Sequence, residues 1–271
     1  MSLPVAIQVY SVRDDAKKDL KGTLQKIKQL GYDGVEFAGL YDHSPAEVKA
    51  MCEEIGLTTI SAHISLADIR KDLKGLVATY AEIGVKYMAL AWLGEENRPG
   101  AEDWDATRAD MIEMAKECKK NGITFLYHNH DFEFEKLDGK YKLEVIYDTI
   151  PADLLQSELD TCWVNVGGEN PADYVRKFTG RAPLVHLKDF VGKKSANMYE
   201  LIGTDSAKAD TNQEFGLRYV GEGVQDFPAI IKASEDAGCE WLIVEQDSPS
   251  PDRTPLECAE LSRKYLKSIG C

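Results

Sequence analysis

The sequence predicts a (β/α)8 barrel, and three observations carry that reading. Apolar, partly β-branched runs alternate with amphipathic helical stripes along the chain, a pattern that requires parallel strands and right-handed crossovers. One phrase recurs: an amphipathic helix, a glycine, then an apolar strand, with Gly31, Gly56, Gly84, Gly122 and Gly238 in the glycine's place. Eight such strands and about eight helices fit the 271 residues, a length at which α/β barrels run as one domain. An open doubly wound sheet is the competing fold, but no G-x-G-x-x-G follows the first strand. No linker divides the chain, so residues 1–271 are expected to form one barrel domain.

The elements follow in order. Val5 to Tyr10 reads as the first strand, and Leu20, Leu24, Ile27 and Leu30 stripe the helix that stops at Gly31. Gly34 to Phe37 is the second strand, and Ser44-Pro45 opens the next helix in the N-cap, N1 order. Thr58 to His63 and Tyr87 to Trp92 are strands three and four, with Leu73, Leu76, Val77 and Tyr80 striping the helix between them. A helix from about Glu102 to Asn121 leads into strand five, Ile123 to Tyr127. Phe132 to Leu143 reads as a small hairpin about Asp138-Gly139. Leu155 to Asp160, Leu184 to Lys188 and Trp241 to Glu245 are strands six to eight. Residues 189–223 form a long, Gly-rich loop after strand seven, of a length that usually signals function. Thr254-Pro255 opens the last helix.

Composition narrows the function. A net charge of −14 and a pI near 4.9 disfavour a nucleic-acid binder, which needs Lys and Arg against phosphate. The six cysteines include no C-x-x-C and no close pair, so a zinc ribbon or disulfide framework is not expected. The N-terminus shows no signal pattern and no apolar run reaches the ~18 residues of a membrane span. A soluble, cytoplasmic protein that touches neither membrane nor nucleic acid is expected.

In such a barrel, chemistry sits at the carboxyl ends of the strands. Those ends read Gln8 and Tyr10, Glu36, His63, Trp92, His128 and His130, Glu158 and Asp160, His186 and Lys188, Glu245 and Asp247. Four of the five histidines are among them. Burying so many polar groups at one face is costly unless they pair or bind something. His128, Asp160, His186 and Glu245 come from four successive strands and make a mixed N/O set suited to Mn2+, Co2+, Zn2+ or Fe2+.

The chain resembles the sugar phosphate isomerase/epimerase superfamily with a xylose-isomerase-like barrel, over nearly its whole length. The resemblance rests on Ile7-Gln8-Val9-Tyr10-Ser11-Val12-Arg13, Gly31-Tyr32-Asp33-Gly34-Val35-Glu36, Ser61-Ala62-His63, Tyr127-His128-Asn129-His130, Glu158-Leu159-Asp160, His186-Leu187-Lys188-Asp189, Gly221-Glu222-Gly223 and Val244-Glu245-Gln246-Asp247. It implies a divalent metal held by Glu, Asp, His and Glu on strands five to eight. Asp160, His186 and Glu245 match, while His128 stands where the first carboxylate is expected.

The chemistry expected is proton transfer beside a carbonyl of a sugar or sugar derivative, through a metal-stabilised enediolate. Glu245 is the candidate base, and His128 is a ligand or an acid. Lys188, two residues past His186, would grip the developing oxyanion, its bland alternative being a structural pair with Glu158 or Asp189. Tyr10, Glu36, His63, His130 and Glu133 are read as substrate contacts, with Trp92 and Trp163 as further stacking surfaces. With one of two catalytic carboxylates replaced, elimination from a 3-keto sugar or keto-inositol is the alternative to isomerisation or epimerisation. A non-catalytic carbohydrate-binding protein and an abasic-site endonuclease are weaker alternatives. Gly221-Glu222-Gly223 is at most a weak phosphate cradle.

Overall fold

The five glycines predicted to stop helices all take the left-handed conformation, with φ of 93°, 77°, 91°, 72° and 79° at Gly31, Gly56, Gly84, Gly122 and Gly238. Each lets the chain leave a helix and turn into the next strand without a Cβ penalty. The computed structural model describes residues 2–194 and 215–271. Eight strands close into a parallel barrel: β1 (Val5–Gln8), β2 (Gly34–Ala38), β3 (Thr58–Ile64), β4 (Tyr87–Leu90), β5 (Thr124–His128), β6 (Gln156–Asp160), β7 (Leu184–Leu187) and β8 (Trp241–Val244). They neighbour one another in sequence order, and β8 returns to pair with β1.

Among the described residues, eight helices of seven residues or more form the outer layer: α1 (Leu20–Leu30), α2 (Pro45–Ile55), α3 (Leu66–Ile83), α4 (Trp104–Lys120), α5 (Lys142–Thr149), α6 (Pro171–Lys177), α7 (Phe227–Ala237) and α8 (Pro255–Ser268). Ser44 and Thr254 close capping boxes with Glu47 and Glu257, so both predicted Ser/Thr-Pro starts begin helices. The main core lies between helices and barrel. A second cluster of Ala6, Ile60, Tyr87, Ala89, Leu126, Leu184 and Ile243 is a separate apolar layer contributed by the strands alone. Two residues further along several of these strands stand Gln8, His128, His186 and Glu245, so the period-two alternation carries the same face from apolar to polar.

Some boundaries differ from the sequence reading. Val9–Val12 is a 3-10 turn rather than strand, because the Gln8 side chain accepts a hydrogen bond from the Tyr10 N–H and ends the extended run. The hairpin has only two residues on each side, Leu137 pairing with Lys140 around Asp138 (φ 49°) and Gly139 (φ 86°), and its expected end is the start of α5. After β7 a ribbon pairs Asp189–Val191 with Gly216–Arg218, and residues 195–214 of the expected long loop lie outside the described residues.

Candidate active site

Register sets the frame. His128 is the Cα partner of Glu158, Asp160 of His186, and Gln8 of Glu36, so neighbouring strands deliver their polar ends at matched heights. One residue beyond β5, Asn129 extends the seam: its side-chain oxygen accepts from the Asp160 N–H at 3.0 Å and its amide donates to the Asp160 carbonyl at 3.2 Å. A side chain here does what a peptide group does in the ladder, and it fixes β5 against β6 where the ionisable groups begin.

Three imidazoles meet over the barrel axis, with ring centres 4.8 Å apart for His63 and His128, 4.7 Å for His128 and His186, and 5.3 Å for the stacked His63 and His186. Beneath them lie Glu36 and Glu158, both fully buried. Glu158 Oε2 is 2.6 Å from His63 Nε2 and 3.2 Å from His128 Nδ1. Glu36 Oε1 accepts from the Gln8 amide at 2.8 Å and lies 2.9 Å from His186 Nε2. On the other side of the rings, His186 Nδ1 is 3.1 Å from Glu245 Oε2, and His128 Nε2 is 3.7 Å from Asp160 Oδ2. Lys188 Nζ sits among three carboxylates, 2.9 Å from Glu245, 2.9 Å from Asp247 and 3.4 Å from Asp160.

Burial and charge set the protonation of these groups. Burial opposes the Lys188 ammonium, yet Asp247, Glu245 and Asp160 lift its pKa well above the ordinary range, so it stays charged. Burial likewise opposes the Glu245 carboxylate, but the Lys188 charge and the His186 contact hold it well below the usual value, which keeps it ionised. Burial would lower the His63 imidazole, but Glu36 and Glu158 carry it up to about 9. Burial lowers His128 despite its contact with Glu158, and it lowers His130 much further. Burial and the neighbouring Glu158 raise Glu36 to about 7.

A cavity of about 320 Å3 opens above this cluster, at the small end of the roughly 300–1,000 Å3 of ligand sites. Its floor is His63, His128, His130, Lys188, Glu245 and Asp247, and its walls include Tyr10 and Trp92. Of the sequence-predicted contacts, Tyr10, His63 and His130 therefore face the cavity. Glu36 lies below it, bonded to Gln8. Glu133 does not line it either: it accepts from the Tyr127 hydroxyl at 2.6 Å and the His130 N–H at 2.7 Å, holding the turn that places His130. Trp163 is buried beside His130 and Lys188 rather than in the wall. Lys188 pairs with Asp160, Glu245 and Asp247 rather than with Glu158 or Asp189, the structural partners expected from sequence. The Gly221-Glu222-Gly223 amides do not form an open cradle. Those of Gly221 and Gly223 donate to Asp189, at 3.0 Å and 2.8 Å, and that of Glu222 to the Tyr219 carbonyl, so internal acceptors already take them.

The donor set can be tested for a divalent cation. His128, Asp160, His186 and Glu245 each offer a ligand atom within 4.8 Å of the others, and so do His63, His128, Glu158 and His186. Asp160 divides its oxygens: Oδ1 accepts from the Cys162 and Trp163 N–H groups, whereas buried Oδ2 has no hydrogen bond. A buried carboxylate oxygen held in place by its twin and left without a donor is what a cation site needs. The residues fit. Glu158 and Asp247 carry more of this site than the sequence reading assigned them. The signal was period two, since Glu158 precedes Asp160 as Glu245 precedes Asp247.

A closed parallel barrel with ionisable groups gathered at the carboxyl ends of its strands is the architecture of a TIM-barrel enzyme. The chain belongs to the xylose isomerase-like TIM barrel family, whose match covers residues 24–269. It is 22% identical to an inosose dehydratase of Geobacillus kaustophilus (strain HTA426), over 91% of this chain and 86% of that one. Among solved structures it is similar to a sugar phosphate isomerase/epimerase from Parabacteroides distasonis ATCC 8503, with a TM-score of 0.80 and 22% identity over 100% of this chain and 95% of the other. An L-ribulose 3-epimerase superimposes with a TM-score of 0.71 at 16% identity, covering 99% and 94%. The six cysteines are all free, and no helix among the described residues is long and apolar enough to cross a membrane.

Proposed function

We propose that this enzyme is a divalent-metal-dependent isomerase or epimerase of an uncharged sugar or sugar derivative. The observation that carries the reading is the convergence of His128, Asp160, His186 and Glu245 from four strands, with Asp160 Oδ2 left without a hydrogen bond. A bound Mn2+, Co2+, Zn2+ or Fe2+ would supply Lewis acidity to a carbonyl and its neighbouring hydroxyl. Glu245, ionised and at the cavity floor, takes the proton beside that carbonyl. Lys188 keeps its charge and is fixed by Asp247, so it donates to the oxygen on which negative charge develops rather than acting as a nucleophile. His130, whose Nδ1 has no hydrogen bond, is the imidazole free to move a proton on or off a hydroxyl. Tyr10 and Trp92 offer flat walls for a sugar ring.

Charge supports an unphosphorylated substrate. Among the described residues lining the cavity, Asp68, Glu245 and Asp247 are carboxylates, and the single ammonium, Lys188, is already shared by three acids. Among the described residues no arginine lines the cavity to grip a phosphate, whereas hydroxyls can donate to those carboxylate oxygens.

A second reading shares the first step. Loss of a hydroxyl from the carbon next to the deprotonated one, as in a keto-inositol or 3-keto sugar, is favoured by the similarity to an inosose dehydratase along 91% of the chain. One experiment separates the two. The Mn2+-supplemented enzyme is given a panel of neutral ketoses, 3-keto sugars and inososes, with phosphorylated ketoses beside them, in D2O. Isomerisation or epimerisation leaves solvent deuterium in a product of unchanged formula, whereas the lyase gives a product lighter by one water. Preference for the phosphorylated members would refute the neutral-substrate assignment, and inertness towards the whole panel would refute the enzymatic one.

A further inference from the structure

We infer that Glu158 is a positioning residue: it fixes the ring tautomer of His128 so that the imidazole lone pair faces Asp160. The inference rests on the cation-dependent reading above.

The two sets share His128 and His186, and the carboxylates Glu158 and Asp160 lie on opposite edges of the His128 ring. The inner edge of His128 is Nδ1, 3.2 Å from Glu158 Oε2, and its outer edge is Nε2, 3.7 Å from Asp160 Oδ2. For His186 the inner edge is Nε2, 2.9 Å from Glu36 Oε1 and 3.5 Å from Glu158 Oε1 but without a hydrogen bond, and the outer edge is Nδ1, which meets Glu245 Oε2 at 3.1 Å. A neutral imidazole has one N–H and one lone pair, and an ionised carboxylate only accepts. The His128 ring must therefore spend its N–H on one side and keep its lone pair for the other.

The surroundings decide the direction. The outer carboxylates already have a counter-charge, since Lys188 Nζ lies within 3.4 Å of Asp160, Glu245 and Asp247. Glu158 is fully buried, and its ion-pair partners are the imidazoles of His63, His128 and His186. Its Oε2 is 2.6 Å from His63 Nε2 and its Oε1 lacks a hydrogen bond, so its negative charge depends on imidazole N–H groups. Spending Nδ1–H of His128 inward satisfies the buried acid. It leaves Nε2 of His128 as a lone pair beside Asp160 Oδ2, and Glu158 orients that ring, as carboxylates behind metal-bound imidazoles do.

Two measurements test this. Imidazole nitrogen–proton correlation NMR of the Zn2+-loaded wild-type enzyme should place the ring proton of His128 on Nδ1. Mn2+ titration by equilibrium dialysis should give one ion per chain, with Glu158→Gln raising the dissociation constant roughly 10- to 100-fold, because an amide turns a donor towards one ring. Glu158→Asp, which keeps an acceptor-only group, should recover part of that loss, and Asp160→Ala should lose the ion. A His128 ring proton on Nε2, two ions per chain, or Glu158→Gln binding within twofold of wild type would each overturn the inference while leaving the metal reading intact. A wild-type enzyme that binds neither Zn2+ nor Mn2+ would overturn both. Should Glu158→Gln fail to fold, the wild-type spectrum decides alone.

Discussion

Lys188 shows how much one side chain can settle. Its ammonium is 1% exposed and lies against three carboxylates, so Lys188→Met would leave Glu245, Asp247 and Asp160 crowded without a counter-charge. Removing one partner from a buried charge group costs about 3–5 kcal/mol, and loss of an oxyanion donor costs roughly 100- to 1,000-fold in kcat. The expected outcome is both: a lower denaturation midpoint in the metal-free protein, partly restored by Mn2+, and a fall in kcat that Mn2+ does not restore. The residue's location was legible because Lys188 follows His186 by two on the same strand face. Its partners were not. Glu158 and Asp189, near in sequence or strand order, were the bland guesses, whereas Asp247 lies 59 residues away and meets Lys188 only once β8 closes the barrel.

At the scale of elements, the ribbon after β7 is held by a buried carboxylate. Asp189 gathers N–H groups from Phe190, Gly221, Gly223 and Gln225. A Cβ at Gly223 would stand 2.2 Å from Asp189 Oδ1 and 2.3 Å from the Phe190 carbonyl, so only glycine allows this approach. Gly223→Ala is expected to destabilise the protein by about 1–3 kcal/mol, read as a lower midpoint in urea, through overpacking at this contact. From sequence the same glycines looked like a weak phosphate cradle, because a run of backbone donors does not reveal whether the anion is a ligand or a side chain 32 residues upstream. Helix α5 was missed for another reason. Val145, Ile146 and Tyr147 favour strands, and eight residues are too few for a helical stripe to outvote them. What holds α5 is tertiary packing of Leu143, Ile146 and Tyr147, with Glu144 bonding back to the Tyr141 N–H.

For the molecule as a whole, the repeated helix, glycine and strand phrase made the barrel readable, and strand periodicity then made most of the polar rim readable with it. The rim also ties stability to pH. In the metal-free protein Glu36 is raised to about 7, Glu133 to about 8 and His63 to about 9. Burial is the leading cause for the two acids; for His63 the charges of Glu36 and Glu158 outweigh burial. Each group holds its proton more tightly folded than unfolded, so each contributes stability at low pH that is lost as pH rises through its folded value. For the acids that loss begins above the ordinary carboxylate pKa of ~4.3, and for His63 above ~6.5. Glu158 and Glu245, held well below the usual range, and His128 and His130, lowered by burial, act oppositely and cost stability as pH falls into acid. Metal-free protein should therefore lose on the order of a few kcal/mol between about pH 7 and pH 9, measured by urea unfolding across pH. A denaturation midpoint that climbs steadily from pH 7 to 9 without metal would contradict this balance.

The Asn129 carboxamide, posing as a peptide unit between the fifth and sixth strands, has an evolutionary corollary. It staples two donors to the rigid staves rather than to the flexible rim above them. Lengthening or exchanging rim segments would then redraw the mouth while the spacing of the reacting groups stayed put. Descendants of this chain would change what they accept more readily than what they do to it.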